Sequence, residues 1–101
     1  INVGAGGIWT ELLNDHATRP APIDTATALD MLNELKITSL LRGYRGAAPA
    51  NVEQIAHLIS QLSQCACNPS IHVAEINPLV VRPEPLAPLI LDALIHTSNC
   101  G

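Results

Sequence analysis

Aromatic side chains are almost missing from this sequence, which has no Phe, one Trp and one Tyr in 101 residues. A core must then be built from Leu, Ile, Val and Ala, and the flat platforms on which nucleic-acid bases stack are lacking. Cations are scarce as well: five Lys and Arg stand against nine Asp and Glu, a formal charge of −4. Such a surface repels a phosphate backbone, so no nucleic-acid partner is expected. No apolar run reaches the ~18 residues of a membrane-spanning helix, and no basic segment precedes an apolar stretch as in a signal peptide. No membrane partner is expected either. The three cysteines are an odd number. Cys65 and Cys67 stand too close for an ordinary disulfide-closed loop, which points to a reducing cytoplasm.

What is present suffices for one domain. Hydrophobic residues make up 48% of the chain, and a folded chain of this size buries roughly 60–68% of the surface its unfolded form exposes. The sequence starts at Ile1 instead of Met and its last residues carry no helix cap or charged tail. Residues 1–101 are therefore expected to be a single domain cut from a larger chain.

Gly4-Ala5-Gly6-Gly7 precedes Ile8-Trp9-Thr10-Glu11-Leu12-Leu13, a run too short for a helix before the Asn14-Asp15-His16 turn. A strand is expected over 8–13, with 18–23 returning as the second arm of a hairpin. Pro20 and Pro22 cannot donate to a ladder and place that arm at an edge. Asp24 is an N-cap for a helix reaching Leu35, with Leu29, Leu32, Ala28 and Met31 on its apolar side. Residues 37–49 read as an ordered loop. Asn51 caps a second helix, with Gln54 three positions on, and Val52, Ile55, Ile59, Leu62 and Ala66 form a stripe at steps of 3, 4, 3 and 4. Residues 71–81, rich in β-branched side chains, predict a strand; Arg82 to Pro88 is a proline-stiffened turn, and 89–95 is the returning strand. The fold class is α+β in the order β-β-α-α-β-β: a four-stranded antiparallel or mixed sheet with two helices on one face.

The last hairpin carries the residues with the most chemistry. Glu75 and Asn77 share a strand face, about 6.6 Å apart at ~3.3 Å per residue. A hairpin symmetric about Glu84-Pro85 places Asp92 opposite Asn77, with Cβ atoms ~4.5–5.5 Å apart. Two carboxylates and an amide oxygen so arranged suit a hard cation such as Mg²⁺; the same residues also fit the solvated face of an antiparallel sheet. Arg19, Arg42 and Arg45 offer bidentate donors for phosphate or carboxylate groups, or stand as solvated surface arginines. The opening glycines do not make a dinucleotide fingerprint, because Trp9 occupies the place of its last glycine. Cys65, Cys67 and His72 offer three zinc ligands with a Cys–Cys spacing shorter than structural zinc sites use, against the alternative of a helix end with buried thiols. His57 lies off the apolar stripe and is expected at the surface. No histidine has a Ser or Cys partner at motif spacing, so a nucleophilic triad is not expected.

Glu75-Ile76-Asn77-Pro78-Leu79 resembles the E-[IL]-N-P-L motif that ends the ATP-grasp domain of NDP-forming acyl-CoA synthetases, a motif shared with the β subunit of succinyl-CoA synthetase. Four further segments resemble the same family in the same order: Gly6 to Glu11 its G-G-I-F-V-E, Arg19 to Pro22 its R-L-A-P, Leu41 to Gly46 its L-x-G-Y-R-G, and Leu91-Asp92-Ala93 its L-D-A. Pro20, His16 and Leu94 depart from the pattern, the last where an arginine is frequent. The resemblance implies the C-terminal lobe of an ATP-grasp domain, with Mg²⁺ and ATP or ADP as cofactors. It implies that Asn77 and Asp92 hold the metal and that Glu75 is the catalytic acidic residue beside the phosphate-transfer centre. Gly6, Gly7, Arg19 and Arg45 are then expected at the nucleotide phosphates. The expected partners are the remainder of the synthetase, meaning the first ATP-grasp lobe and the CoA-binding domains, and, for the whole enzyme, CoA and a carboxylic acid. The alternative is a non-catalytic ATP-grasp-like module fused to a protein lysine acetyltransferase.

Overall fold

Each of the two long helices begins at a residue whose side chain replaces a missing helical hydrogen bond. A computed structural model of the protein describes residues 1–5, 15–43 and 49–97. In it the Asp24 carboxylate accepts from the Thr27 amide at 2.8 Å and starts α1, Thr25–Glu34. A short second helix, α2, follows at Thr38–Leu41 where a loop was expected. The Asn51 side chain accepts from the Gln54 amide at 3.0 Å and starts α3, Val52–Ser63, which tightens into a 3₁₀ turn over Gln64–Cys67.

The helices face each other through Ala28, Met31 and Leu32 of α1 and Val52, Ile55, Ala56 and Ile59 of α3. Met31 is the largest fully buried side chain. The buried stripe of α3 runs on to Ser63, while Leu62 is half-buried and Ala66 exposed. At 3.6 residues per turn the face drifts away from a strict 3-4 repeat. Ser63 is inside for a second reason. Its hydroxyl accepts from the Ile23 amide at 3.0 Å and donates to the Ser60 carbonyl at 2.6 Å, and the Ser60 hydroxyl donates to the Ile23 carbonyl at 2.8 Å. The segment entering α1 is thereby tied to the end of α3.

Strand β1, Asn2–Gly4, pairs antiparallel with β2, His16–Thr18, in the register Val3↔Ala17. The strand expected over 8–13 lies outside the described residues. The return arm is His16–Thr18 and not 18–23: beyond Thr18 the prolines remove ladder donors, and Ile23 turns into the core. Asp15, at the foot of β2, is buried, and its two carboxylate oxygens accept from the amides of Lys36 and Ile37 at 2.8 and 3.0 Å. It joins the first hairpin to the connection between α1 and α2.

The last hairpin is divided. β3, Ile71–Ile76, pairs with β6, Ala93–Thr97, and β4, Leu79–Val80, pairs with β5, Leu89–Ile90. Among the described residues the strands form three two-stranded sheets, so the expected single four-stranded sheet is not what is observed. Pro78 lacks the N–H that would carry the ladder through. The ribbon also stands off the helices: Leu79 and Val81 pack on the core, but every residue of β6 is exposed. The molecule is accordingly elongated, 53 × 27 × 23 Å.

Two predictions follow from these contacts. Asp15→Ala should lower the unfolding free energy by about 1.5–3 kcal/mol, the range for hydrogen bonds to a charged group. Asp30→Ala, on the exposed side of α1, should leave the urea midpoint nearly unchanged, and an equally small shift for Asp15→Ala would show that its two bonds contribute nothing. The second concerns pH. Hydrogen bonds from Thr27, its side chain first and its amide next, hold the Asp24 carboxyl below the usual 3.8. A folded pKa below the unfolded one means stability present above the unfolded value and lost as pH falls through the folded one. The difference in Tm between the parent and Asp24→Ala should therefore be largest near neutrality and shrink as pH drops below about 4; a difference independent of pH would exclude the charged cap.

Candidate functional site

The interruption of the long hairpin is where polar side chains gather. Glu75 is the penultimate residue of β3, Asn77 follows its end, and Asp92 precedes β6. The register is Glu75↔Leu94 and Ile76↔Ala93 on one side of the interruption and Leu79↔Ile90 on the other. Between them the Asn77 amide donates to the Asp92 carbonyl at 3.1 Å, and the Leu91 amide donates to the Pro78 carbonyl at 3.1 Å. The register expected from symmetry about Glu84-Pro85 is the register observed.

Because paired residues share a face, Glu75, Asn77 and Asp92 fall together and line one open depression of about 270 Å³ with Ala93 and Leu94. All three polar residues are exposed to solvent. The Asn77 Nδ2 donates to Glu75 Oε1 at 3.3 Å, and Asp92 Oδ1 accepts from the Ala93 amide at 2.9 Å. Two carboxylates and an amide face the depression with no cationic side chain among its lining residues. A donor set made only of oxygens fits a hard cation such as Mg²⁺, which takes one or two carboxylates and completes its shell from water and phosphate. No group of three or more His, Cys, Asp or Glu able to hold a metal exists among the described residues; the third polar side chain of the depression is an amide.

The other candidates among the described residues do not line this depression. Arg19 pairs with Glu34 and donates from Nη1 to the Thr18 carbonyl at 2.8 Å. Arg42 donates to Asn33 Oδ1 at 2.7 Å. Gly6, Gly7 and Arg45 lie outside the described residues. Cys65 is half-buried and Cys67 exposed, both free, so the helix end does not bury its thiols. There the chain turns at Asn68 and leaves the apolar face. His57 is exposed, as expected. Leu94, where the family pattern often has an arginine, pairs with Glu75 and lines the depression. No helix among the described residues is long and apolar enough to cross a membrane.

Known proteins share this arrangement of elements. The family model for the ATP-grasp domain matches residues 1–96. The β subunit of ADP-forming acetate–CoA ligase I from Pyrococcus furiosus is 40% identical over 77 residues, 75% of this chain and 33% of that protein. ADP-forming 4-hydroxybutyrate–CoA ligase from Nitrosopumilus maritimus is 33% identical over 96 residues, 94% of this chain and 14% of that protein. Acetyl-coenzyme A synthetase 1 of Ca. Korarchaeum cryptofilum, solved with coenzyme A and Mg-AMPPCP, superposes with a TM-score of 0.85 at 30% identity, covering 96% of this chain and 45% of that one. The chain thus spans a third or less of these curated relatives, yet nearly all of it falls within a single family: it belongs to the ATP-grasp domain family.

Proposed function

We propose that this chain is the Mg-nucleotide-binding lobe of an ADP-forming acyl-CoA synthetase, which converts a carboxylic acid, CoA and ATP into acyl-CoA, ADP and phosphate. The single observation that supports it most is the pairing of Asn77 with Asp92 beside Glu75, around one depression with an all-oxygen donor set. Asp92 and the Asn77 amide oxygen would hold the metal, with Glu75 next to the phosphate-transfer centre. The metal, when bound, supplies charge neutralisation at the phosphates, the main electrostatic requirement of phosphoryl transfer. Gly6, Gly7, Arg19 and Arg45 complete the proposal as phosphate contacts, and for Arg19 that role requires release from Glu34.

Residues 1–101 would be the C-terminal portion of the ATP-grasp domain within a longer, cytoplasmic protein. The remainder of the synthetase, with its first ATP-grasp lobe and CoA-binding domains, would be the partner. Support comes from the ribbon. Every large hydrophobic side chain exposed among the described residues lies between Val73 and Ile95. The relatives named above are all CoA ligases or synthetases, which favours a ligase over a regulatory module fused to an acetyltransferase.

In the full-length protein, Asn77→Ala and Asp92→Ala should each lower turnover at least about a hundredfold, and the double variant should be little worse than either. Thermal stability should move by less than about 0.5 kcal/mol, as for exposed surface polar groups. Additive losses would show that the two residues do not serve one ion. The isolated segment, gripping nucleotide from one side only, should show no acyl-CoA-dependent ATP synthesis, and measurable turnover would overturn its assignment as one lobe of two.

A further inference from the structure

The geometry points to Glu75 as a positioning residue for Asn77, an inference that rests on the metal reading proposed above. An Asn side chain has two ends of nearly equal size, an oxygen that attracts a cation and an NH₂ that repels it. Left alone on an exposed strand, it presents either. Here the choice is made locally. Glu75 lies in β3 and Asn77 one residue past its end, two positions on, and both line the same depression. Asn77 Nδ2 donates to Glu75 Oε1 at 3.3 Å, which turns Oδ1 away from Glu75.

The surroundings give Glu75 no competing partner within the depression. Its cross-strand neighbour is Leu94, which has no donor, and Ala93 and Asp92 contribute no side-chain N–H. Among the described residues lining the depression, Asn77 is the only one with a side-chain donor. Asp92 is held in the same manner, with Oδ1 tied by the Ala93 amide at 2.9 Å. Each proposed ligand thus has one end engaged by its own hairpin and the other end left for the ion. Loss of an outer partner that fixes the orientation of a metal ligand typically costs about 10–100-fold in affinity. Glu75 is assigned that role, not one as a ligand or as a base.

The test uses the full-length protein saturated with a non-hydrolysable ATP analogue, with Mn²⁺ affinity read by electron paramagnetic resonance and folding checked by circular dichroism. Glu75→Ala should weaken Mn²⁺ binding about 10–100-fold, the usual effect of removing such a partner. Glu75→Gln, whose amide oxygen still accepts from Asn77, should stay within about threefold of the parent, less than the loss typical of a missing partner. In an Asn77→Asp background both ends of residue 77 are oxygens, so Glu75→Ala should there cost almost nothing. Equal losses for Glu75→Gln and Glu75→Ala, or an undiminished loss in the Asn77→Asp background, would overturn the assignment and make the charge of Glu75 itself the requirement. If Asn77→Ala and Asp92→Ala leave Mn²⁺ binding unchanged, the metal site fails and this role falls with it, an outcome distinct from deviation of the Glu75 variants alone.

Discussion

The backbone bond from the Asn77 N–H to the Asp92 carbonyl, 3.1 Å long, holds the two halves of the long hairpin in one register. Strand register is unforgiving, since a slip of one residue sends every side chain to the opposite face. With Pro78 next in the chain the ladder cannot continue unbroken. The bond at Asn77 and the one from Leu91 to the Pro78 carbonyl therefore bracket the gap. Were either strand displaced by one position, Glu75 and Asp92 would leave the same surface, and the depression would have one carboxylate instead of two.

What the hairpin needs from the rest of the chain is an anchor, and the helices supply it. Leu79 and Val81 pack on the core formed by α1 and α3. Beyond them the Glu84 amide donates to the Pro49 carbonyl at 2.9 Å and Pro83 bridges to Ala50, immediately before the cap of α3. The helix pair is tied in turn to the first hairpin through Asp15 and to its own entry segment through Ser60 and Ser63. Among the described residues these fastenings are polar and few, and the core they hold is small and wholly aliphatic apart from Met31. The polar side chains of the proposed ion-binding face are not among them. Asn77 and Asp92 can serve chemistry without weakening the platform.

The positions of the two long helices and the register of the last hairpin were legible in the sequence because both rest on local rules. Asp24 and Asn51 precede apolar periodicity, and the caps are made as those residue types require. The register at Asn77 and Asp92 followed from the hairpin's centre. What could not be read were contacts set by tertiary geometry. Asp15 resembles any turn aspartate until Lys36 and Ile37 are brought to it. Ser63 interrupts an apolar stripe, and nothing local says that Ile23 will need its hydroxyl. The division of the sheet was hidden for a related reason: alternation predicts strands, but not whether strands from opposite ends of the chain will pair. Arg19 carries the same lesson for function, since the pattern that makes it a phosphate candidate is silent about Glu34.

The open depression makes physical sense for an ion that arrives with a nucleotide. Two carboxylates and one amide, all exposed, lose little solvation on folding, so the fold can hold them close without a compensating cation. The same exposure would keep the proposed grip of Asp92 and Asn77 on a bare divalent ion weak, because each protein oxygen merely replaces a water of similar strength. Phosphate oxygens change that balance by supplying ligands that carry charge. A buried site would bind the ion more firmly, but at the cost of desolvating two carboxylates whenever the ion is absent. With Asn77 and Asp92 at the surface of a pinned hairpin, the geometry of the proposed site is kept fixed, and on that proposal its strength depends on the nucleotide.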